Sequence, residues 1–298
     1  MISTLSDDYL RFHHFFFSVM IHSMTLATRN RFVLSATIIS AVLVLITGIA
    51  TVVILIQNRL PAQIPGIRQI SGLDGFFLTP YSPLASILTL NVFPVIALCS
   101  LLYMLVAFEK TQSIEITFFA ACAFALAFEG LRICIPLYGL WDNSNFYLMT
   151  VARSILACRI FILLAILSSG LFTTGATSQQ LGSALFLEAF FSFTLARAIP
   201  LNARSVSSNF LLLPGYDELL GIVFLTLGLL SILVYLILAK TRGIPEYRAA
   251  AAGLALMFCG YPLLAASDTW VILAAGTCLM VAGGALFLKK IHTFYLWQ

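Results

Sequence analysis

Charged residues are scarce in this chain. Asp, Glu, Lys and Arg together make up only 9% of its 298 residues, whereas they make up about 25% of a typical soluble domain. Hydrophobic residues reach 61% and the mean hydropathy is +1.02. This composition excludes a soluble enzyme or signalling domain. It predicts an all-α, polytopic integral membrane protein, in which each spanning helix takes about 20 residues.

The predicted spans also lack histidine and any patterned cysteine. The four histidines lie near the two ends of the chain, at His13, His14, His22 and His292. The six cysteines fall inside apolar segments, without the spacing of a metal site or a disulfide framework. An intramembrane hydrolase needs a nucleophile with a base, a metal, or paired aspartates. We therefore expect no metal, no cofactor and no enzymatic activity.

Long apolar runs predict eight spanning helices. They run from Phe32 to Gln57, Leu84 to Phe108, Ile116 to Leu137, Tyr147 to Phe172, Leu181 to Pro200, Asp217 to Leu238, Tyr247 to Ala266 and Thr269 to Leu288. The predicted organisation is an N-terminal segment (1–31), one transmembrane domain (32–290) and a short tail (291–298). The Phe-rich N-terminal segment predicts either an interfacial amphipathic helix or a region that precedes a later start at Met20 or Met24.

The distribution of Lys and Arg predicts the orientation of the bundle. With the N-terminus inside, the inner connections hold nine of these residues and the outer ones three, Arg59, Arg68 and Arg204. Because cytoplasmic loops carry the excess of positive charge, both termini are predicted to be cytoplasmic, and the plasma (inner) membrane is the expected location. No basic run is typical of a nucleic-acid-binding surface, so the lipid bilayer is the expected environment and nucleic acid is not an expected partner.

Glycine pairs seven residues apart recur in the last three predicted helices. They are Gly221 with Gly228, Gly253 with Gly260, and Gly276 with Gly283. Two helical turns place the members of each pair on one face, where neighbouring backbones can approach closely. The pattern predicts tight packing among these helices; chance is the alternative, since glycine is common in membrane helices.

Six ionisable residues interrupt the third, fourth and fifth predicted helices. They are Glu129, Arg132, Arg153, Arg159, Glu188 and Arg197. Each charge costs about 2.5 to 3.5 kcal/mol on insertion scales, so these residues must find one another, water or a ligand. The helical rise puts Arg132, Arg153 and Arg197 in one layer, about 9 to 10 Å to the outer side of the midplane.

Two ion pairs follow from this placement. A spacing of three residues lets Glu129 pair with Arg132 on one helix face. Arg159 and Glu188 fall near the midplane on adjacent antiparallel helices, which predicts a buried ion pair between them.

The surplus of arginine supports three hypotheses. In the first, the ion pairs only fix helix register while Arg153 and Arg197 snorkel to headgroups. In the second, Arg132, Arg153 and Arg197, with Glu129, line an outward pocket for a carboxylate, a phosphate or a lipid headgroup, because guanidinium groups suit such anions. In the third, the cluster contacts a partner subunit.

Residues around this outer layer extend the second hypothesis. Loops from Asn58 to Pro83 and from Leu201 to Tyr216 would cover the pocket. Tyr138, Trp141, Asn143 and Asn145 would either form its rim or belong to an aromatic belt at the membrane surface.

These features favour a non-enzymatic, receptor-like or sensory membrane module that acts through a membrane or cytoplasmic partner protein. A transporter or channel component is an alternative, although the charges have no counterpart in the last three helices, as repeated halves would require. A structural subunit of a membrane complex is a second alternative.

The predicted topology can be tested with reporter fusions. Nine basic residues inside against three outside predict that a reporter at Gln179 lies in the cytoplasm and one at Ser207 lies outside. Activity of compartment-specific reporters at the two positions measures this directly. The opposite location at either position would invert the topology or remove one helix from it.

Overall fold

The computed structural model describes residues 25–57, 81–111, 113–140, 146–173 and 180–296, with the backbone alone at 202–205 and 213. Its elements are α1 (Leu26–Ile56), α2 (Pro83–Ala107), α3 (Ile114–Ala127), a 3₁₀ segment (Phe128–Ile133), α4 (Cys134–Tyr138), α5 (Phe146–Phe172), α6 (Leu181–Ala198), β1 (Leu201–Val206), β2 (Leu212–Pro214), α7 (Asp217–Arg242), α8 (Pro245–Ala265) and α9 (Trp270–Leu296).

Within these described ranges, eight helical segments are long and apolar enough to cross a membrane. They are α1, α2, the continuous run Ile114–Tyr138, α5, α6, α7, α8 and α9. The predicted helical bundle with eight spans is therefore confirmed, whereas its orientation remains a prediction. Because α9 continues to Leu296, it includes most of the predicted tail. Residues 1–24 and 58–80 lie outside the described ranges, and with them most of the interfacial segment and of the first predicted covering loop.

The third span changes its winding near the middle of the bundle. A 3₁₀ segment, Phe128–Ile133, separates α3 from α4. Pro136 in α4 has no N–H to bond the carbonyl of Arg132, so a continuous α-helical ladder is interrupted here. Gly130 lies so close to α2 and α1 that a Cβ on it would be 2.7 Å from Pro94 Cγ and 2.9 Å from Thr47 Cγ2. The tight segment therefore lies against two neighbouring spans.

The glycine pairs in α8 and α9 form the closest helix contact. A Cβ on Gly253 would lie 2.8 Å from the carbonyl oxygen of Gly283, and one on Gly276 would lie 2.7 Å from the backbone nitrogen of Leu264. Since real side chains do not approach a backbone this closely, only glycine allows these helices their separation. The predicted packing is confirmed for α8 and α9. In α7 it holds for Gly228, where a Cβ would lie 1.9 Å from Phe258 Cε2 of α8, but not for Gly221, where a Cβ would meet nothing within 4 Å.

A β-hairpin stands where the sequence predicts an outer loop from Leu201 to Tyr216. Strands β1 and β2 are antiparallel, and the tip, Ser207 to Phe210, is buried at 0 to 1% exposure. Phe210 has a φ of +60°, a left-handed conformation that is strained for a bulky residue. Its ring packs with Ile54 and Leu148, among others. The hairpin therefore inserts into one end of the bundle, called the hairpin end below.

Replacing Gly253 with alanine should weaken the α8 and α9 contact, because the added methyl group would lie against backbone atoms that cannot rotate away. Overpacking of this kind costs about 1 to 3 kcal/mol, so the midpoint of thermal unfolding in detergent should fall. Gly48→Ala in α1 is the matched control, since its Cβ would meet nothing within 4 Å. Equal midpoints for the two variants would contradict the close contact.

Candidate binding site at a buried charge cluster

One carboxylate joins two arginines in the interior of the bundle. Glu129, in the 3₁₀ segment, accepts from Arg159 Nε at 2.6 Å and from Arg159 Nη2 at 3.0 Å. Arg132 Nη2 lies 3.0 Å from its Oε2, as the spacing of three residues predicts. The Tyr261 hydroxyl of α8 donates to Oε1 at 2.6 Å. These four residues, called the Glu129 cluster below, connect the third span to α5 and α8.

Arg132 is a fully buried link between three parts of the bundle. Its side chain has no exposed surface. Nη1 donates to the backbone oxygens of Asn209 and Ala265, both at 3.3 Å, and the guanidinium lies 5.5 Å from the ring centre of Phe93. Most of its donor capacity is therefore used by the protein itself, which makes Arg132 a structural residue of the hairpin end.

The predicted ion pair between Arg159 and Glu188 is wrong. Arg159 makes a bidentate contact with Glu129, while Glu188 bonds Ser168. Within the described residues, Glu188 Oε2 is buried without a hydrogen-bond partner. Depth alone suggested the pair, but helix rotation directs the two side chains to different neighbours.

The predicted convergence of Arg132, Arg153 and Arg197 on one pocket is also wrong. Arg197 is exposed on the side of α6, with its guanidinium 5.9 Å from the ring centre of Phe193. Arg153 is half-buried, and its Nε has no hydrogen-bond partner among the described residues. Neither lines the cavity described next, so the outer layer of three arginines does not form the predicted pocket.

A cavity of about 890 Å³ lies between the helices beside the Glu129 cluster, and it is open along α7, where the lining residues Gly221 and Leu225 are exposed. It is bounded by α3, α5, α7 and α8, with contributions from α2, α9 and the hairpin. Most lining residues are apolar, among them Phe119, Ile162 and Met257. Arg159 and Tyr261 belong to the wall. Arg159 keeps 12% of its side chain exposed, so Arg159 is the arginine of the cluster that faces this space.

A second buried carboxylate lies at the opposite end of α3. Glu115 has no exposed surface and accepts hydrogen bonds from Tyr247 at 2.6 Å, Tyr295 at 2.8 Å and Ser113 at 3.1 Å. These four residues, called the Glu115 cluster below, join the starts of α3 and α8 to the end of α9.

Each of the two clusters contains a hydrogen bond between a glutamate of the third span and a tyrosine of α8. Glu115 bonds Tyr247 and Glu129 bonds Tyr261, with a sequence separation of 132 residues in both cases. The two glutamates are 14 residues apart, and so are the two tyrosines, which corresponds to about 21 Å along a helix. The third and seventh spans are therefore tied at two levels. The cavity lies between these two helices.

A layer of buried polar side chains surrounds the hairpin tip. Ser208 donates to Asp268 at 2.9 Å, and the Asn209 amide donates to the backbone oxygen of Ala265. Burial, and then the nearby charge of Asp268, raises the pKa of the Tyr81 hydroxyl in this layer. The polar atoms at the hairpin end are thus largely bonded to one another, which anchors the hairpin above the cavity.

The predicted rim contributes little to this site. Tyr138 is 69% exposed, as a residue at the membrane surface would be, and Trp141, Asn143 and Asn145 lie outside the described residues. Sequence reasoning missed Glu115, Tyr247, Tyr261 and Asn209. The signal that was available for the first three is the equal spacing of 14 between two glutamates and between two tyrosines in different spans.

Glu129→Gln should be far more damaging than Glu188→Gln. The first change removes the charge that compensates buried Arg132 and Arg159, and breaking a buried pair costs about 3 to 5 kcal/mol. The second removes a carboxylate that faces no cation among the described residues. The yield of monodisperse protein and its thermal midpoint measure the difference. Similar losses in both variants would contradict the charge-balancing role of Glu129.

Comparison with known proteins identifies one relative. A protein of Treponema pallidum (strain Nichols), described as an uncharacterized protein, is 24% identical over 345 aligned positions, which cover 92% of this chain and 100% of the relative. No family model matches the chain, and no solved structure matches it. The similarity extends over nearly the whole of both chains. The chain is a multi-pass helical membrane protein whose resemblance to this relative carries no assigned activity.

Proposed function

We propose that the protein is a non-enzymatic, receptor-like module of the plasma (inner) membrane that binds the anionic group of a ligand at Arg159. The observation that carries this proposal is the position of Arg159, which belongs to a buried charge cluster and also forms part of a cavity wall. Intramembrane ionisable groups commonly mark functional sites. The anion-binding role thus passes from the predicted outer arginines to this one.

The charge balance of the Glu129 cluster favours an anion. Arg132 and Arg159 contribute two positive charges and Glu129 one negative charge, so one positive charge remains. Asp217 also lines the cavity, but it is exposed at the start of α7. It lies seven residues, or about 10 Å, from Phe224, which packs near Ile160, the neighbour of Arg159. Because Asp217 is exposed, its charge is more strongly screened than the charges of the buried cluster.

The receptor-like part of the proposal depends on the two Glu–Tyr contacts. A ligand between α3 and α8 would lie between helices that are tied at both levels. An anion that draws Arg159 away from Glu129 would alter one tie, because Arg159 Nε and the Tyr261 hydroxyl share Glu129 Oε1. A rigid helix would carry the displacement to the other tie. Allosteric coupling requires such a differential contact. The Glu115 cluster would then report occupancy to a partner protein at its end of the bundle.

A transporter is the second candidate, and the 3₁₀ segment favours it. Discontinuous helices near the bilayer midplane form the substrate sites of many transporters, and a mid-helix 3₁₀ stretch often marks a hinge. Here the interruption contains both Glu129 and Arg132. Net uptake of an anionic ligand into sealed vesicles, as opposed to saturable binding, would favour this candidate.

The proposal predicts that an anionic molecule co-purifies with the protein through Arg159. Native mass spectrometry should detect it on the wild-type protein and on Arg197→Gln, and at least about tenfold less on Arg159→Gln, because a charge-assisted hydrogen bond contributes about 1.5 to 3 kcal/mol. Arg159→Gln should still fold, since Glu129 keeps Arg132 as a partner. Equal occupancy of the three proteins would contradict anion binding at Arg159.

Ligand binding should also alter the Glu115 cluster. Amide hydrogen exchange near Ser113 and at the start of α8 should differ between the occupied and the emptied wild-type protein, and the difference should disappear in Arg159→Gln. Arg197→Gln serves again as the control, because its side chain is exposed away from the cavity. Binding without any change in exchange would favour a structural subunit that holds a lipid over a receptor.

A further inference from the structure

We infer that the ligand of this cavity is an amphiphile, with one acidic headgroup at Arg159 and an apolar tail that lies between α3, α7 and α8. This inference rests on the proposed function, because it takes the anion at Arg159 as given and asks what the remaining space accommodates.

The size of the cavity argues against a small anion. A water molecule occupies about 30 Å³ in the liquid, so 890 Å³ is the space of many waters beyond any acetate or phosphate. Apolar cavities tend to stay dry, and a buried water needs two to four polar partners. Most of this wall offers none, since it consists of residues such as Phe119, Leu254 and Met257. An apolar group that fills the space is the more favourable occupant.

Polar groups are unevenly distributed along the cavity. Arg159, Tyr261, Asn209 and the exposed Asp217 lie towards the hairpin end. Farther from it the wall holds Ser100, Cys122 and Ser231, of which the last two direct their donors to backbone oxygens, at 3.6 Å and 2.8 Å, and so offer little to a ligand. A ligand that matches this wall is polar at one end and apolar over the rest.

Aromatic rings close the apolar part of the cavity. Phe119 lines it, and the rings of Phe119 and Phe287 stack with their centres 4.8 Å apart. Tyr235 packs on Phe287 at 5.8 Å and bonds Ser169. The ring of Tyr235 also lies 6.2 Å from that of Tyr247 in the Glu115 cluster, so these rings connect the cavity wall to that cluster. The wall extends about 10 Å along α8, from Leu254 to Tyr261, and about 22 Å along α7, from Asp217 to Ile232, which is long enough for the chain of a fatty acid.

Oleate, oleyl alcohol and acetate separate the headgroup from the tail. In nonionic detergent, oleate should raise the thermal midpoint of the wild-type protein, because a ligand that binds only the folded state stabilises it. Oleyl alcohol and acetate should require at least about tenfold higher concentrations for the same shift. Arg159→Gln should respond to oleate about tenfold more weakly. Arg197→Gln should respond as the wild type does. Since this variant meets the same concentration of oleate in the micelles, a weaker response of Arg159→Gln alone would not be due to partition of oleate into them.

The outcomes distinguish this inference from the proposed function. If acetate shifts the midpoint as effectively as oleate, with the same dependence on Arg159, the anion site stands and the amphiphile is overturned. If oleyl alcohol equals oleate and Arg159→Gln responds normally, the anion site itself is overturned. If no probe shifts the wild-type midpoint at concentrations that saturate the micelles, both are overturned.

A photoreactive oleate with a diazirine at the tail end tests the location of the tail on the wild-type protein, without any substitution that could affect folding. Adducts on the wild-type protein should concentrate at Phe119 and Met257, which line the cavity. An excess of oleyl alcohol should reduce these adducts only weakly, because it should compete poorly with the photoreactive oleate for the cavity. Adducts confined to outward-facing residues such as Leu45 and Ile49, which are both 65% exposed, would show that the tail stays in the surrounding micelle and would overturn the inference.

Discussion

The Glu129 carboxylate is the group on which the interior of this protein depends. It is fully buried, accepts hydrogen bonds from Arg159 and Tyr261, and forms an ion pair with Arg132. Desolvation of each ion costs several kcal/mol, and only such multiple contacts offset this cost. Through these contacts one side chain fixes the rotation of α5 and α8 against the third span. Arg132 extends the same network to the hairpin through the Asn209 carbonyl. The bundle therefore has a polar centre that specifies how apolar helices are oriented.

Two different interactions hold α8. On one side, glycine allows its backbone to touch that of α9, so the pair behaves as one layer. On the other side, Tyr247 and Tyr261 reach across to Glu115 and Glu129 with hydrogen bonds of 2.6 Å. Long side chains span a gap that backbone packing would close. The cavity lies between α3 and α8, which are joined in this way.

The sequence predicted the spans well because length and hydropathy determine them. Observed ends such as Pro83 of α2 and Phe172 of α5 lie within one residue of the predicted ones. Rotation was not predictable in the same way. A 3₁₀ segment turns about 120° per residue and an α-helix about 100°, so the six residues Phe128–Ile133 shift the phase by about 120°. Depth alone also says nothing about how α5 and α6 are rotated, so it paired Arg159 with Glu188, whereas the structure pairs it with Glu129. The hairpin was missed because its strands are short.

The hairpin and the cavity wall are connected through the same carboxylate. Arg132 contacts Asn209 in the tip and Glu129 in the cluster, and Glu129 in turn holds Arg159. An anion at Arg159 would compete with Glu129 for that guanidinium and leave more of the carboxylate to Arg132. The strained φ of +60° at Phe210 is kept only while the tip remains packed. Occupancy of the cavity and seating of the hairpin would therefore be linked energetically, with two contacts between them.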